Sequence, residues 1–145
     1  SKLSNVNLQN VVNPVYAFRA NLKNKEQIEE LMLEWGRDPQ DPRIIKDVIN
    51  NLQPSTNLKK LNIKYYGGTS FPNWIGDSSF SSIIVLNISE CNNCLLLPPF
   101  GQLPSLRELV IKRMTMVKTV GYEFYGRNAG STVVSSVSIT GESGI

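Results

Sequence analysis

Apolar residues recur along the chain in a short cadence, L-x-x-L-x-L, in which L is a large aliphatic side chain. Leu3/Val6/Leu8, Ile28/Leu31/Leu33, Leu58/Leu61/Ile63, Ile83/Leu86/Ile88 and Leu106/Leu109/Ile111 all fit it. The cadence opens at residues 3, 28, 58, 83 and 106, so its period runs from 23 to 30 residues, at or just beyond the leucine-rich-repeat range. In the third unit the last two apolar positions alternate with polar ones, the mark of a strand that buries one face. Across residues 58–64, Leu61 and Ile63 are predicted to point inward, with Lys60, Asn62 and Lys64 facing solvent. Such short strands are unstable alone, but stacked side by side they share one continuous core. The pattern predicts an α/β fold: a leucine-rich-repeat solenoid with a curved parallel sheet and irregular returns.

The returns between strands differ. In residues 41–54, Asp41 suits an N-cap, Pro42 the first helical position and Pro54 the stop. Ile44, Ile45, Val48, Ile49 and Leu52 then share one helical face. Asn13-Pro14 opens a shorter helix that turns Ala17, Ala20 and Leu22 inward. Prolines in 71–75 and 97–104 forbid long helices, which leaves extended or 3₁₀ segments anchored by Phe71, Trp74, Leu97 and Leu103. Residues 1–126 read as about five repeats. Residues 127–145, rich in Ser, Thr and Gly, read as a weak sixth strand (Val134/Val137/Ile139) or a frayed tail.

Composition narrows the chemistry. There is no histidine, which excludes Ser-His-Asp and Cys-His catalysis and every His-containing zinc site. The net charge of +3 comes without a basic stripe, so nucleic-acid binding is not expected. No apolar run is long enough to span a bilayer. Cys91 and Cys94 are too few to staple a secreted scaffold, which favours a reducing compartment. They also lack companions for a zinc site, and Cys91 falls where leucine-rich repeats place Asn or Cys to bond the turn backbone. Asn87-Ile88-Ser89 matches a glycosylation sequon but lies inside a predicted strand, so the match reads as accidental. The chain opens without methionine or an apolar leader, and no cap precedes its first repeat. It is therefore expected to be part of a longer protein, and to aggregate or melt early by itself.

A series of motifs carries a resemblance. Residues 20–25, 28–35 and Leu52-Gln53-Pro54 come first. Residues 66–74, Cys91-Asn92-Asn93-Cys94, residues 97–106 and residues 120–126 continue in order. Together they resemble the leucine-rich-repeat region of plant coiled-coil-type nucleotide-binding disease-resistance proteins over residues 3–126. From Arg127 the chain departs from that pattern. The resemblance implies a cytoplasmic, intracellular immune receptor whose repeats sense pathogen effectors, directly or through a guarded host protein, and help hold the receptor off. Its implied partners are that effector or host protein and the nucleotide-binding module of the parent receptor. Any ATP binding would belong to that module, since no G-x-x-x-x-G-K-[ST] loop occurs here.

Candidate binding residues are those predicted on the solvent-facing, concave side of neighbouring strands: Glu30 beside Lys60, Glu34 beside Lys64, and Trp35 beside Tyr65. They form either a mixed-charge aromatic patch for a protein partner or simple ion pairing between adjacent strands. No catalytic, cofactor or metal residue is assigned, and clustered Glu29, Glu30 and Glu34 read as a solvated face. An F-box-type substrate adaptor, or another protein-binding scaffold, is the alternative; an F-box adaptor would show cysteine-rich repeats of steadier length. An extracellular receptor would carry Gly-x-Ile-Pro repeats and capping cysteines.

Overall fold

The computed structural model describes residues 4–114 and the strand at 136–140. Six five-residue strands line up in chain order in one sheet, every neighbouring pair parallel. They are β1 (Asn5–Gln9), β2 (Glu30–Glu34), β3 (Lys60–Lys64), β4 (Val85–Ser89), β5 (Glu108–Lys112) and β6 (Ser136–Thr140). Leu31, Leu61, Leu86 and Leu109 fall in one register row, and Leu33, Ile63, Ile88 and Ile111 in the next. All eight are at most 3% exposed, so the two rows form the spine of the core. Val6 and Leu8 continue the rows onto β1 but are only partly buried, because among the described residues β1 is paired on one side only. Leu3 and Val134 lie outside the described residues.

Two returns are helical: α1 (Pro14–Ala20) and α2 (Pro42–Asn51). Both begin Asx-Pro. Asn13 Oδ1 accepts from the Val15 amide at 2.8 Å and Asp41 Oδ1 from the Arg43 amide at 2.9 Å, satisfying donors that a helix start leaves open. Ala17, Leu22, Ile45, Val48, Ile49 and Leu52 are buried as the periodicity requires. Ile44 is not: it is 46% exposed, since it sits in the first turn at the margin of the Ile45/Val48/Ile49/Leu52 stripe, about 90° from its centre. In the proline-punctuated returns a single 3₁₀ turn, Phe100–Gln102, replaces a helix, and Phe71, Trp74, Leu97 and Leu103 all anchor inward.

Strand ends follow their own rule. Asn10, Tyr65, Glu90 and Arg113, each just past a strand, have φ between 55° and 61°. This left-handed step costs a non-glycine residue on the order of 1 kcal/mol. It also breaks the alternation, so the following residue turns inward: Tyr66, Cys91 and Met114 are fully buried. Trp35 occupies the same place after β2 without the left-handed step. There the alternation simply continues, and Trp35 itself enters the core.

Among the described residues, five side chains donate back to main-chain carbonyls of the preceding repeat. Trp35 Nε1 donates to Val11 O (2.8 Å), Asn51 Nδ2 to Pro14 O (3.1 Å) and Asn57 Nδ2 to Glu26 O (3.2 Å). Trp74 Nε1 donates to Ile49 O (2.9 Å) and Asn93 Nδ2 to Gly67 O (3.0 Å). Each donor reaches back between 24 and 37 residues to a backbone carbonyl of the preceding repeat. The Ile49 carbonyl lies in the last turn of α2, where intrahelical partners run out.

The Tyr66-Gly67-Gly68 segment shows why glycine is needed at one place and not its neighbour. Tyr66 stacks on Phe71 at 4.9 Å, and its hydroxyl donates to Ser70 O at 2.7 Å. A Cβ on Gly68 would collide with that hydroxyl and ring, whereas one on Gly67 meets nothing within 4 Å. Gly68→Ala is expected to lower stability by about 1–3 kcal/mol, the usual range for overpacking a filled site. Gly67→Ala should be close to neutral. Chemical denaturation of the pair checks this, and equal effects would exclude the steric account.

Candidate functional site

The exposed face of the sheet is built from three register rows. The first holds Asn5, Glu30, Lys60, Val85 and Glu108; the third holds Gln9, Glu34, Lys64, Ser89 and Lys112. Between them runs an uncharged row of Asn7, Met32, Asn62, Asn87 and Val110. Opposite charges thus sit side by side across β2 and β3. Lys60 Nζ lies 3.5 Å from Glu30 Oε1, and next to it Lys59 pairs with Glu29, whose carboxyl this pairing holds below its ordinary range. Glu34 and Lys64 are register neighbours but form no ion pair within 4.0 Å. In the middle row, Asn62 Oδ1 is buried and accepts no hydrogen bond.

The structure separates two residues that the sequence reading set together. Trp35 was expected beside Tyr65 on the solvent face. Its backbone does adjoin that strand end, the Trp35 amide donating to Lys64 O at 3.1 Å. Its ring, however, is 3% exposed and packs at 5.5 Å against Tyr66. Trp35 is therefore a core residue, removed from the exposed face by the absence of the left-handed step. Glu30, Glu34, Lys60, Lys64 and Tyr65 remain partly or wholly accessible.

Around Tyr65 a polar chain crosses four successive repeats. Arg37 lies over the Tyr65 ring, 5.0 Å from its centroid, and its Nη2 donates to the Tyr65 hydroxyl at 3.0 Å. One repeat further on, Arg113 Nη1 donates to Glu90 Oε1 at 2.9 Å. The Tyr65 hydroxyl first, and the Arg113 guanidinium second, hold Glu90 below the usual carboxylate range. Beside this chain opens a cleft of about 310 Å³, bordered by the 36–40 loop, Gly67, Asn92 and Asn93. Arg37, Glu90 and Arg113 escaped the sequence reading, because their side chains meet only through left-handed strand ends that no residue type announced.

Cys91 and Cys94 are free, buried thiols. Cys91 Sγ donates to Ser89 O at 3.5 Å and Cys94 Sγ to Leu96 O at 3.1 Å, so both serve the turn after β4. Burial pushes both thiols up, that of Cys94 to about 11. Thiol reagents are expected to react with the folded chain no faster than it opens; immediate labelling at neutral pH would contradict the packing. The sign for stability follows. Below the ordinary value of 9.0 both states hold the Cys94 proton, and between 9.0 and about 11 the unfolded thiol ionises first, so stability should fall across that window. Among the described residues no helix is long and apolar enough to cross a membrane.

Comparison with known proteins agrees with this architecture. The sequence profile of the R13L1/DRL21 LRRs matches residues 1–114. Putative disease resistance RPP13-like protein 1 of Arabidopsis thaliana is 36% identical over 133 residues, covering 86% of this chain and 13% of that protein. Putative disease resistance protein At3g14460, also from Arabidopsis thaliana, is 39% identical over 127 residues, covering 81% of this chain and 9% of that protein. Putative disease resistance protein RGA4 of Solanum bulbocastanum is 38% identical over 112 residues, covering 76% and 11%. The chain thus spans only about a tenth of the length of these curated relatives, and no solved structure matches it. With an α/β sheet built from its repeating rows, and with the profile covering most of its length, the chain belongs to the R13L1/DRL21 family of leucine-rich repeats.

Proposed function

We propose that this chain is a non-catalytic protein-interaction and autoinhibitory surface of a cytoplasmic plant immune receptor. In this reading the parallel sheet belongs to a curved solenoid, and its concave face is the exposed one described above. The face holds the receptor's nucleotide-binding module in its resting state. A pathogen effector, or a host protein that the effector modifies, binds the same face and shifts the balance. The names of the relatives, all disease resistance proteins, support the setting.

One observation carries the reading: an uncharged central row, with an unmet acceptor on Asn62, lies between two rows of mixed charge. Protein interfaces share that plan, an uncharged centre with a charged rim. Met32→Arg in the full receptor tests it, because Met32 sits in that row at partial exposure. The expected result is lost effector-triggered cell death, or cell death without effector, at unchanged protein abundance and melting temperature. Wild-type behaviour on both counts would remove this face from the function.

A further inference from the structure

We infer that the cleft at the ends of β2, β3 and β4 receives a carboxylate side chain from a protein partner, with Arg37 as the group that grips it. The residues that follow these strands border the cleft: Arg37 and Asp38 after β2, Tyr65 and Gly67 after β3, and Glu90 after β4. Its floor is apolar, because Trp35, Ile45 and Tyr66 reach it from the core at no more than 3% exposure. At about 310 Å³ it lies at the small end of ligand sites, which suits a side chain better than a large cofactor.

Arg37 is a cation held in place without an acid to hold it. Its guanidinium lies over the Tyr65 ring and uses one hydrogen bond, from Nη2, on the Tyr65 hydroxyl. A guanidinium carries five N–H donors in a fixed fork that matches a carboxylate. Among the described residues no carboxylate comes within 4.0 Å of it. Glu90, the acid bordering the cleft from β4, is engaged by Arg113 at 2.9 Å. The rest of the fork is therefore open, and the ring and hydroxyl already order it, so less entropy is lost on binding. Asp38 is exposed and forms no ion pair among the described residues, so nothing comparable pre-orders the cleft for a cation.

A glycine keeps the space open. Gly67 is not among the residues with positive φ, and a Cβ added there would meet nothing within 4 Å. Neither backbone geometry nor packing demands glycine at that position. What a side chain would take away is room at the border of the cleft. Further cations lie just beyond it: Lys64, which precedes Tyr65, and Lys112 form no ion pair among the described residues. They stand two strands apart in one register row, roughly 10 Å from backbone to backbone. An acidic stretch of polypeptide can meet them and Arg37 together, which a free small anion cannot. That the occupant belongs to a protein rests on the interaction-surface reading above; that it is anionic rests on the cleft.

The test pans the full-length protein against a displayed library of random heptapeptides, with the Gly67→Leu protein as counter-selection. Peptides that need the open cleft should carry Asp or Glu at one position at about tenfold the library frequency. Arg37→Gln should weaken the best of them about tenfold, whereas Asp38→Asn should tighten it about threefold by removing a like charge. A selection with no Gly67-dependent peptide, or with basic or neutral ones, overturns the proposal, and so does unchanged binding in Arg37→Gln. If Gly67→Leu does not fold, Arg37→Gln, a change on an exposed side chain, becomes the counter-selection, and the absence of any Arg37-dependent peptide then overturns it. Met32 does not border the cleft, so the two readings fail separately. Acidic peptides together with a silent Met32→Arg would retain the cleft and remove the exposed face; the reverse would remove the cleft alone.

Discussion

Trp35→Ala is expected to cost about 3–5 kcal/mol of folding stability, the range for truncating a buried aromatic. The ring is 3% exposed, tilts against Tyr66 at 5.5 Å, and donates from Nε1 to the Val11 carbonyl at 2.8 Å. Truncation therefore opens a cavity between the first and third repeats and strips that carbonyl of its donor. Trp35→Phe retains most of the volume and should lose only part as much, about 1–2 kcal/mol, chiefly for the missing hydrogen bond. Tyr65→Ala offers the contrast. It removes an accessible stacking contact, and alanine keeps the Cβ that makes the left-handed step costly, so its cost should stay near 1 kcal/mol. Urea denaturation of the three variants checks the order. Loss of less than about 1 kcal/mol in Trp35→Ala would return this residue to the surface.

Leu61→Ala should cost about 2–5 kcal/mol. Leu61 is 1% exposed on β3, and its register neighbours Leu31 and Leu86 are buried on either side, so the sheet cannot close over the gap. The same truncation at Leu8, partly buried on β1, should cost clearly less. The comparison matters more than either number, because it reads the position of each strand within the stack. Equal losses at the two positions would deny that β1 is the less covered strand.

Most of the core was legible because it depends on spacing alone. Two aliphatics separated by one residue, repeated at a fixed period, leave little choice of face, and the rows from Leu31 to Ile111 followed directly. Helix starts were legible because Asn13-Pro14 and Asp41-Pro42 carry their own chemistry. The strand ends were not. Whether the residue after a strand turns inward depends on a left-handed φ, and Tyr65, Glu90 and Arg113 are not types that favour it. The chain from Arg37 through Tyr65 and Glu90 to Arg113 stayed hidden for that reason, whereas Trp35 was set level with Tyr65 although plain alternation from Leu31 and Leu33 turns it inward. Ile44 failed differently: it lies at the margin of the buried stripe, in the first turn of α2.

The backward-reaching hydrogen bonds bear on how such a protein changes over generations. Each donor is a side chain carried by its own repeat, but each acceptor is main chain, which every residue type supplies. A repeat thus brings its own fastening and asks of its neighbour only a carbonyl in the right place. Where two returns share the same course, unequal recombination that duplicates or removes one whole period leaves a donor facing an acceptor. The number of repeats can drift, and the exposed rows can be rewritten, without any matching substitution next door.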